Sequence, residues 1–231
     1  QSFWTQGGLA AVHSEGRNRN AIWDAMERKE IYGTSGPRIL LWFDQVSDQE
    51  INPMGSTISL SNNPKFNVKA VGSFKQKPGC EDFVMEGLPR EKIDTLCGGE
   101  CYNPSSERLK ITRIEVVKIT PQITPDEDVS DLIQDPWLVL PCDGENGCEV
   151  EFEDPSFIEN GRQSIYYVRA IQEATDTING DNLRCKYDSE GNCIEVNPCW
   201  GDYRVDSKDA CLSKEEHRAW SSPIYVSKNI N

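Results

Sequence analysis

Short apolar segments, separated by turn residues, limit this chain to a β-rich fold. They run along most of its length as "RILLWFD", "STISL", "FNVKAVGSF", "RLKITRIEVVKI", "PWLVLP", "CEVEFED", "SIYYVRAIQE" and "SPIYV". Each is rich in β-branched or aromatic residues, and Gly, Pro, Asn and Asp lie between them, the pattern of an antiparallel sandwich or barrel. "RILLWFD" is apolar from Ile39 to Phe43 without alternation, which predicts a strand covered on both faces. Helical periodicity occurs once, in "NRNAIWDAMERKEI". Ile22, Ala25 and Met26 share one face there, and Asp24, Glu27, Arg28 and Lys29 lie on the other. Asn18 or Asn20 can cap its start, Gly33 is placed for a left-handed C-terminal cap, and "TSGP" turns the chain afterwards. The expectation is a mainly β chain: an antiparallel β-sandwich-like domain over residues 37–231, preceded by a strand, one helix and a turn over 1–36. At 231 residues, folding buries roughly 70% of the unfolded chain's surface, enough for a core.

Nine cysteines, all in the last two-thirds, point to an oxidising compartment. Three close pairs bracket turn-like stretches and predict local disulfides: Cys142 with Cys148, Cys185 with Cys193, and Cys199 with Cys211. Each would contribute about 2–3 kcal/mol by restricting the unfolded chain. Cys80, Cys97 and Cys101 remain, an odd set that leaves one thiol free or paired outside the chain. "CGGEC" has neither a CxxC knuckle nor a second matched pair, so its spacing argues against zinc. The connections over 76–108 and 174–222 are too long for hairpins, and the cysteines there are expected to hold loops with little core of their own.

The net charge of −14 excludes a phosphate-backbone partner, so no nucleic acid is expected. The acidic runs "TPDEDVSD" and "CEVEFED" lack a D-x-D-x-D-G calcium loop and read as solvated surface. "PQITPDEDVSDLIQDP" reads as a surface loop in which Leu132 and Ile133 can form a helical turn. No apolar run is long enough to span a membrane, and no signal peptide begins the chain. Export would therefore rely on a signal upstream of Gln1, with a periplasmic or secreted destination.

Chemistry-bearing residues are sparse. Of the two histidines, His13 follows "LAAV" at the end of an apolar run, with Glu15, Arg17 and Arg19 beside it. A carboxylate and guanidinium groups at a strand end suit an anion such as phosphate or sulfate. The bland alternative has His13 satisfying a buried backbone group and the arginines pairing with helix acids. His217, in "KEEHRAW", reads as surface or loop, and Ser35 has no visible His or acid partner to make it a nucleophile. Walker, HExxH, Rossmann and nucleophile-elbow motifs are missing from the sequence.

"GGLAAVH", "GRNRNAIWDAMERKEIYGTSGPRILLWFD", "GECYNPSSERLKITRIEVVKI", "DPWLVLPC", "YYVRA" and "RAWSSPIYV" together resemble the C-terminal part of the bacterial family catalogued as domain of unknown function 3604. That family looks like an exported branch of the PHP (polymerase and histidinol phosphatase) superfamily of metal-dependent hydrolases. The resemblance implies that residues 1–36 join the β domain to a metal-binding barrel missing upstream. It also implies a divalent metal in the intact parent, and His13 and Arg17 as candidates at the barrel edge, working only with that barrel present. The chain itself has no H-x-H or D-x-H motif, and two histidines cannot build a multinuclear centre of that type, so no cofactor is expected in it. The function expected is the C-terminal portion of an exported hydrolase of phosphate-ester or related anionic substrates, inactive alone. The alternative is a non-catalytic, disulfide-stabilised extracellular β module for binding or assembly, able to self-associate, with Trp4, Trp200, Tyr203 and Trp220 as candidate anchors.

Overall fold

The computed structural model describes residues 7–47, 50–97, 101–145, 147–200, 204, 206 and 208–229. The strands are β1 (Leu9–Val12), β2 (Ile31–Thr34), β3 (Leu40–Val46), β4 (Ile51–Pro53), β5 (Thr57–Leu60), β6 (Lys65–Val71), β7 (Phe74–Gln76), β8 (Pro104–Arg108) and β9 (Ile111–Ile119). They continue as β10 (Ile133–Pro141), β11 (Cys148–Glu153), β12 (Ser164–Gln172), β13 (Thr175–Ile178), β14 (Cys185–Tyr187), β15 (Cys193–Val196), β16 (Leu212–Glu215), β17 (Arg218–Ser221) and β18 (Ile224–Lys228). The chain is mainly β, as its patterning predicts.

Two sheets pack face to face. One has eight strands centred on β12, which pairs β9 along one edge and shares its other edge between β17 and β18. The other has four strands in the order β11-β6-β3-β4. Pairing is antiparallel except for β18 against β5. Phe43, Phe66 and Phe152 from the small sheet stack on one another, and Phe66 packs tilted against Tyr166 of the large one at 4.8 Å between centroids, all nearly or fully buried. This aromatic cluster fills the gap between the layers, the usual way a sandwich makes its core.

The described part of the N-terminal segment, residues 7–36, does not stand apart from this sheet. β2 pairs β17 and β1 pairs β2, so the large sheet crosses the boundary at residue 36. Helix α1 (Arg19–Glu27) begins where Asn18 accepts a hydrogen bond from the Ala21 N–H at 3.0 Å. The left-handed residue after it is Lys29, with φ 60°, and Gly33 lies within β2. The chain must reverse by Ile31 to enter that strand, so the turn falls earlier than Gly33. Gly55 makes the close approach possible: a Cβ there would stand 2.5 Å from the Arg28 carbonyl oxygen.

β3 also departs from expectation. It alternates, with Leu41, Phe43 and Gln45 buried and their neighbours half-buried, because only its inner face enters the sandwich. The long connections carry more structure than their composition suggests. Helices α2 (Asp82–Gly87) and α3 (Arg90–Cys97) occupy 76–108, and Ile93 is buried there. Two small ladders, β13 with β16 and β14 with β15, occupy 174–222. The disulfides are Cys80–Cys101, Cys142–Cys148, Cys185–Cys193 and Cys199–Cys211. The Cys97 side chain, Trp4 and Tyr203 lie outside the described residues. No helix among the described residues is long and apolar enough to cross a membrane.

Candidate functional site

Chemistry-bearing side chains meet in two places. The first is built by the N-terminal segment. β1 ends at Val12, and the His13 N–H donates to the Glu30 carbonyl at 2.9 Å, which holds the residue at the head of the sheet. Its Nε2 lies 2.8 Å from the Leu41 carbonyl oxygen. A carbonyl can only accept, so Nε2 carries a proton. The ring packs beside Tyr32 at 5.4 Å and Trp42 at 5.7 Å between centroids. Asp44 of β3 is close enough to sense the His13 charge: burial pushes its carboxyl above the usual range, and His13 opposes that push. Arg17 is exposed in the β1–α1 loop and makes no hydrogen bond or ion pair among the described residues. The fold therefore brings His13 to Asp44 and two aromatic rings, and Arg17 is not joined to them.

The second place is a cleft of about 620 Å³ at the other end of β1. Segments far apart in sequence wall it: Leu9, the β2–β3 turn at Gly36–Arg38, the Ser73–Gln76 stretch that contains β7, Tyr102, the β13 threonines and His217. Its volume falls in the range of small-molecule pockets.

His217 is 3% exposed, contrary to its reading as a surface or loop residue. It ties three strands together. Ser35, just past β2, lies 3.1 Å from His217 Nδ1, and Thr177 Oγ1 of β13 lies 2.8 Å from Nε2. Ser35 Oγ also accepts from the Arg218 N–H at 3.0 Å and lies 3.4 Å from the Arg218 carbonyl oxygen, so the backbone beside His217 holds the serine in place. Burial holds this imidazole below its ordinary pKa, with Glu215 pulling the other way. Ser35 thus has the histidine partner its sequence neighbourhood does not reveal. A serine nucleophile needs the far nitrogen oriented by a carboxylate that stabilises the imidazolium; a threonine hydroxyl fills that position here. The arrangement fastens strands and does not activate Ser35.

Beneath the cleft, fully buried Gln172 accepts from the Ser73 N–H at 2.8 Å and the Ser73 hydroxyl at 2.9 Å. Those two donors fix the orientation of its amide, and its Nε2 has no hydrogen-bond partner among the described residues.

A divalent metal does not fit the side chains described. The one group of three metal-ligand types among them is Cys199, Asp209 and Cys211. The two sulfurs are bonded to each other, and the carboxylate is 2.8 Å from Arg184. A disulfide offers no thiolate, so this cluster is a closed loop staple.

No curated protein and no solved structure matches the chain. Residues 1–47, the stretch that contains His13, Tyr32, Trp42 and Asp44, match the family model described as Protein of unknown function (DUF3604).

Proposed function

We propose that this chain is the β portion of an exported, PHP-like metal-dependent hydrolase acting on phosphate-ester or related anionic substrates, and that it is inactive alone. The observation that supports the reading is a coincidence of place. The stretch that matches a family model, residues 1–47, is also where His13, Tyr32, Trp42 and Asp44 meet. In the same stretch α1 leaves Trp23 59% and Met26 49% exposed, an apolar surface suited to packing against another domain. In the parent, a divalent metal would activate water and polarise the ester oxygen. In this chain His13, held by the Leu41 carbonyl, acts as a positioning residue, and Arg17, free at the surface, is available to a substrate anion. Four disulfides suit an oxidising compartment, and a periplasmic or secreted location follows from that preference.

Metal analysis with phosphodiesterase and sulfatase assays, on this chain and on the native protein, tests the proposal. Bound metal and hydrolysis in the native protein, with neither in this chain, is the expected result. A native protein that purifies without metal and gains no activity from added divalent ions overturns it.

The cleft beside His217 favours a second reading, a non-catalytic extracellular β module for binding or assembly. In that case the chain folds alone without metal, and either self-associates or binds a surface partner. Light scattering against concentration checks the self-association arm.

A further inference from the structure

We propose that the cleft beside His217 is a binding site for a small ring-bearing oxyanion, a carboxylate or a phosphate or sulfate ester on a flat ring, with Arg38 as its anion-binding residue. The inference rests on the cleft alone and holds under either reading of the chain's function.

The charges in the wall select the sign of the ligand. Lys75 is paired with Glu107 at 3.3 Å, and Asp176 with Lys214 at 3.0 Å, so each cancels locally. Burial disfavours the charged form of His217. Arg38 has no carboxylate within ion-pair distance among the described residues. Its guanidinium instead lies 4.0 Å over the Tyr102 ring. A guanidinium held over an aromatic face by cation–π attraction still has N–H donors to offer, and a guanidinium can grip an oxyanion through two hydrogen bonds.

The same wall selects the body of the ligand. Tyr102 and Phe74 both line the cleft, and Arg108 covers Phe74 at 3.8 Å while its Nη1 donates to the Gly72 carbonyl at 2.7 Å. Phe74, Tyr102 and Leu109 in the wall give a ring apolar surface to cover. The wall is also built in advance. The Cys80–Cys101 disulfide fixes the residue before Tyr102, and the Asn103 N–H donates to Gln76 Oε1 at 2.9 Å. Little ordering is then left for binding to impose.

The chain contains two histidines, which makes the site observable. In chain labelled with ¹⁵N-histidine, phenyl phosphate, benzoate and inorganic phosphate are titrated at constant ionic strength. The expected result is a saturable shift of the His217 ring resonances, with His13 unmoved, for at least one ring-bearing probe, and weaker binding of inorganic phosphate. The two ring-bearing probes distinguish a phosphate ester from a carboxylate. Arg38→Ala should weaken that probe about tenfold or more, the usual loss of a charge-assisted pair, with an unchanged melting temperature. Arg38→Lys, which keeps the charge without the planar fork, should also weaken it, and Arg19→Ala on the exposed face of α1 should not. The proposal is overturned if neither ring-bearing probe shifts His217, if inorganic phosphate binds as tightly as both, or if Arg38→Ala leaves the affinity unchanged.

Discussion

His217 shows how much one side chain holds in this fold. Its two ring nitrogens meet hydroxyls from β2's end and from β13, and the Gln172 N–H donates to its carbonyl at 2.8 Å. Replacing it with alanine removes one hydrogen-bond partner from each of Ser35 and Thr177 and opens a void, and should destabilise the chain by about 2–4 kcal/mol in urea denaturation at neutral pH. The pH dependence has a definite sign. Because the folded state holds the imidazole below its ordinary pKa, the unfolded chain binds the proton more readily. The stability linked to His217 is therefore full above the unfolded value of about 6.5 and is lost as pH falls below it. Denaturation midpoints from about pH 8 to 5 check this, and His217→Gln should flatten the change. "KEEHRAW" conceals all of this because charged neighbours suggest exposure, whereas alternation along β17 and the residue before it turns His217 and Ala219 inward.

At the level of elements, close backbone approaches set where strands begin and end. Gly72 follows β6, and a Cβ there would stand 1.9 Å from the Leu109 carbonyl oxygen, between β8 and β9. Neither backbone can yield without disturbing a ladder. Gly72→Ala should therefore cost about 2–4 kcal/mol, and because Leu109 lines the cleft, it should also weaken the ring-bearing probe. Thermal melting and the histidine titration measure the two effects. The elements themselves were largely legible. The apolar runs fall on β5, β6, β9, β10, β11, β12 and β18, and Asn18 caps α1. The left-handed turn at Lys29 was not legible, because the approach of Gly55, a contact distant in sequence, decides it. Helices α2 and α3 are not legible for a different reason: at 6 and 8 residues they are too short for a helical period to repeat along the sequence.

Over the whole molecule, one polar group joins the two layers. Asp154, just after β11, is fully buried against Lys118 of β9 and Tyr166 of β12, whose hydroxyl donates to its Oδ2 at 2.6 Å. Burial pushes the Asp154 carboxyl up, but Lys118, Tyr166 and Ser156 together outweigh it and hold the carboxyl below its usual range. Its stabilising contribution is then present above the unfolded value of about 3.9 and is lost as pH falls through the lower folded value. Lys118→Met, which strands a buried carboxylate, should destabilise by about 3–5 kcal/mol and move Asp154 titration upward; a Lys118→Met/Asp154→Leu pair should recover much of that. Chemical denaturation and acid titration of the variants decide it. What the sequence determined by itself is local: the strand class, the capped helix and the short Cys-bracketed turns, where the interacting residues are neighbours along the chain. Tertiary structure alone decided the cleft and its histidine, because Ser35 and His217 are 182 residues apart and Arg38 meets Tyr102 only when β2, β7 and β13 come together. Periodicity records which face a strand buries, but carries no information about which distant hydroxyl, ring or guanidinium will meet it there.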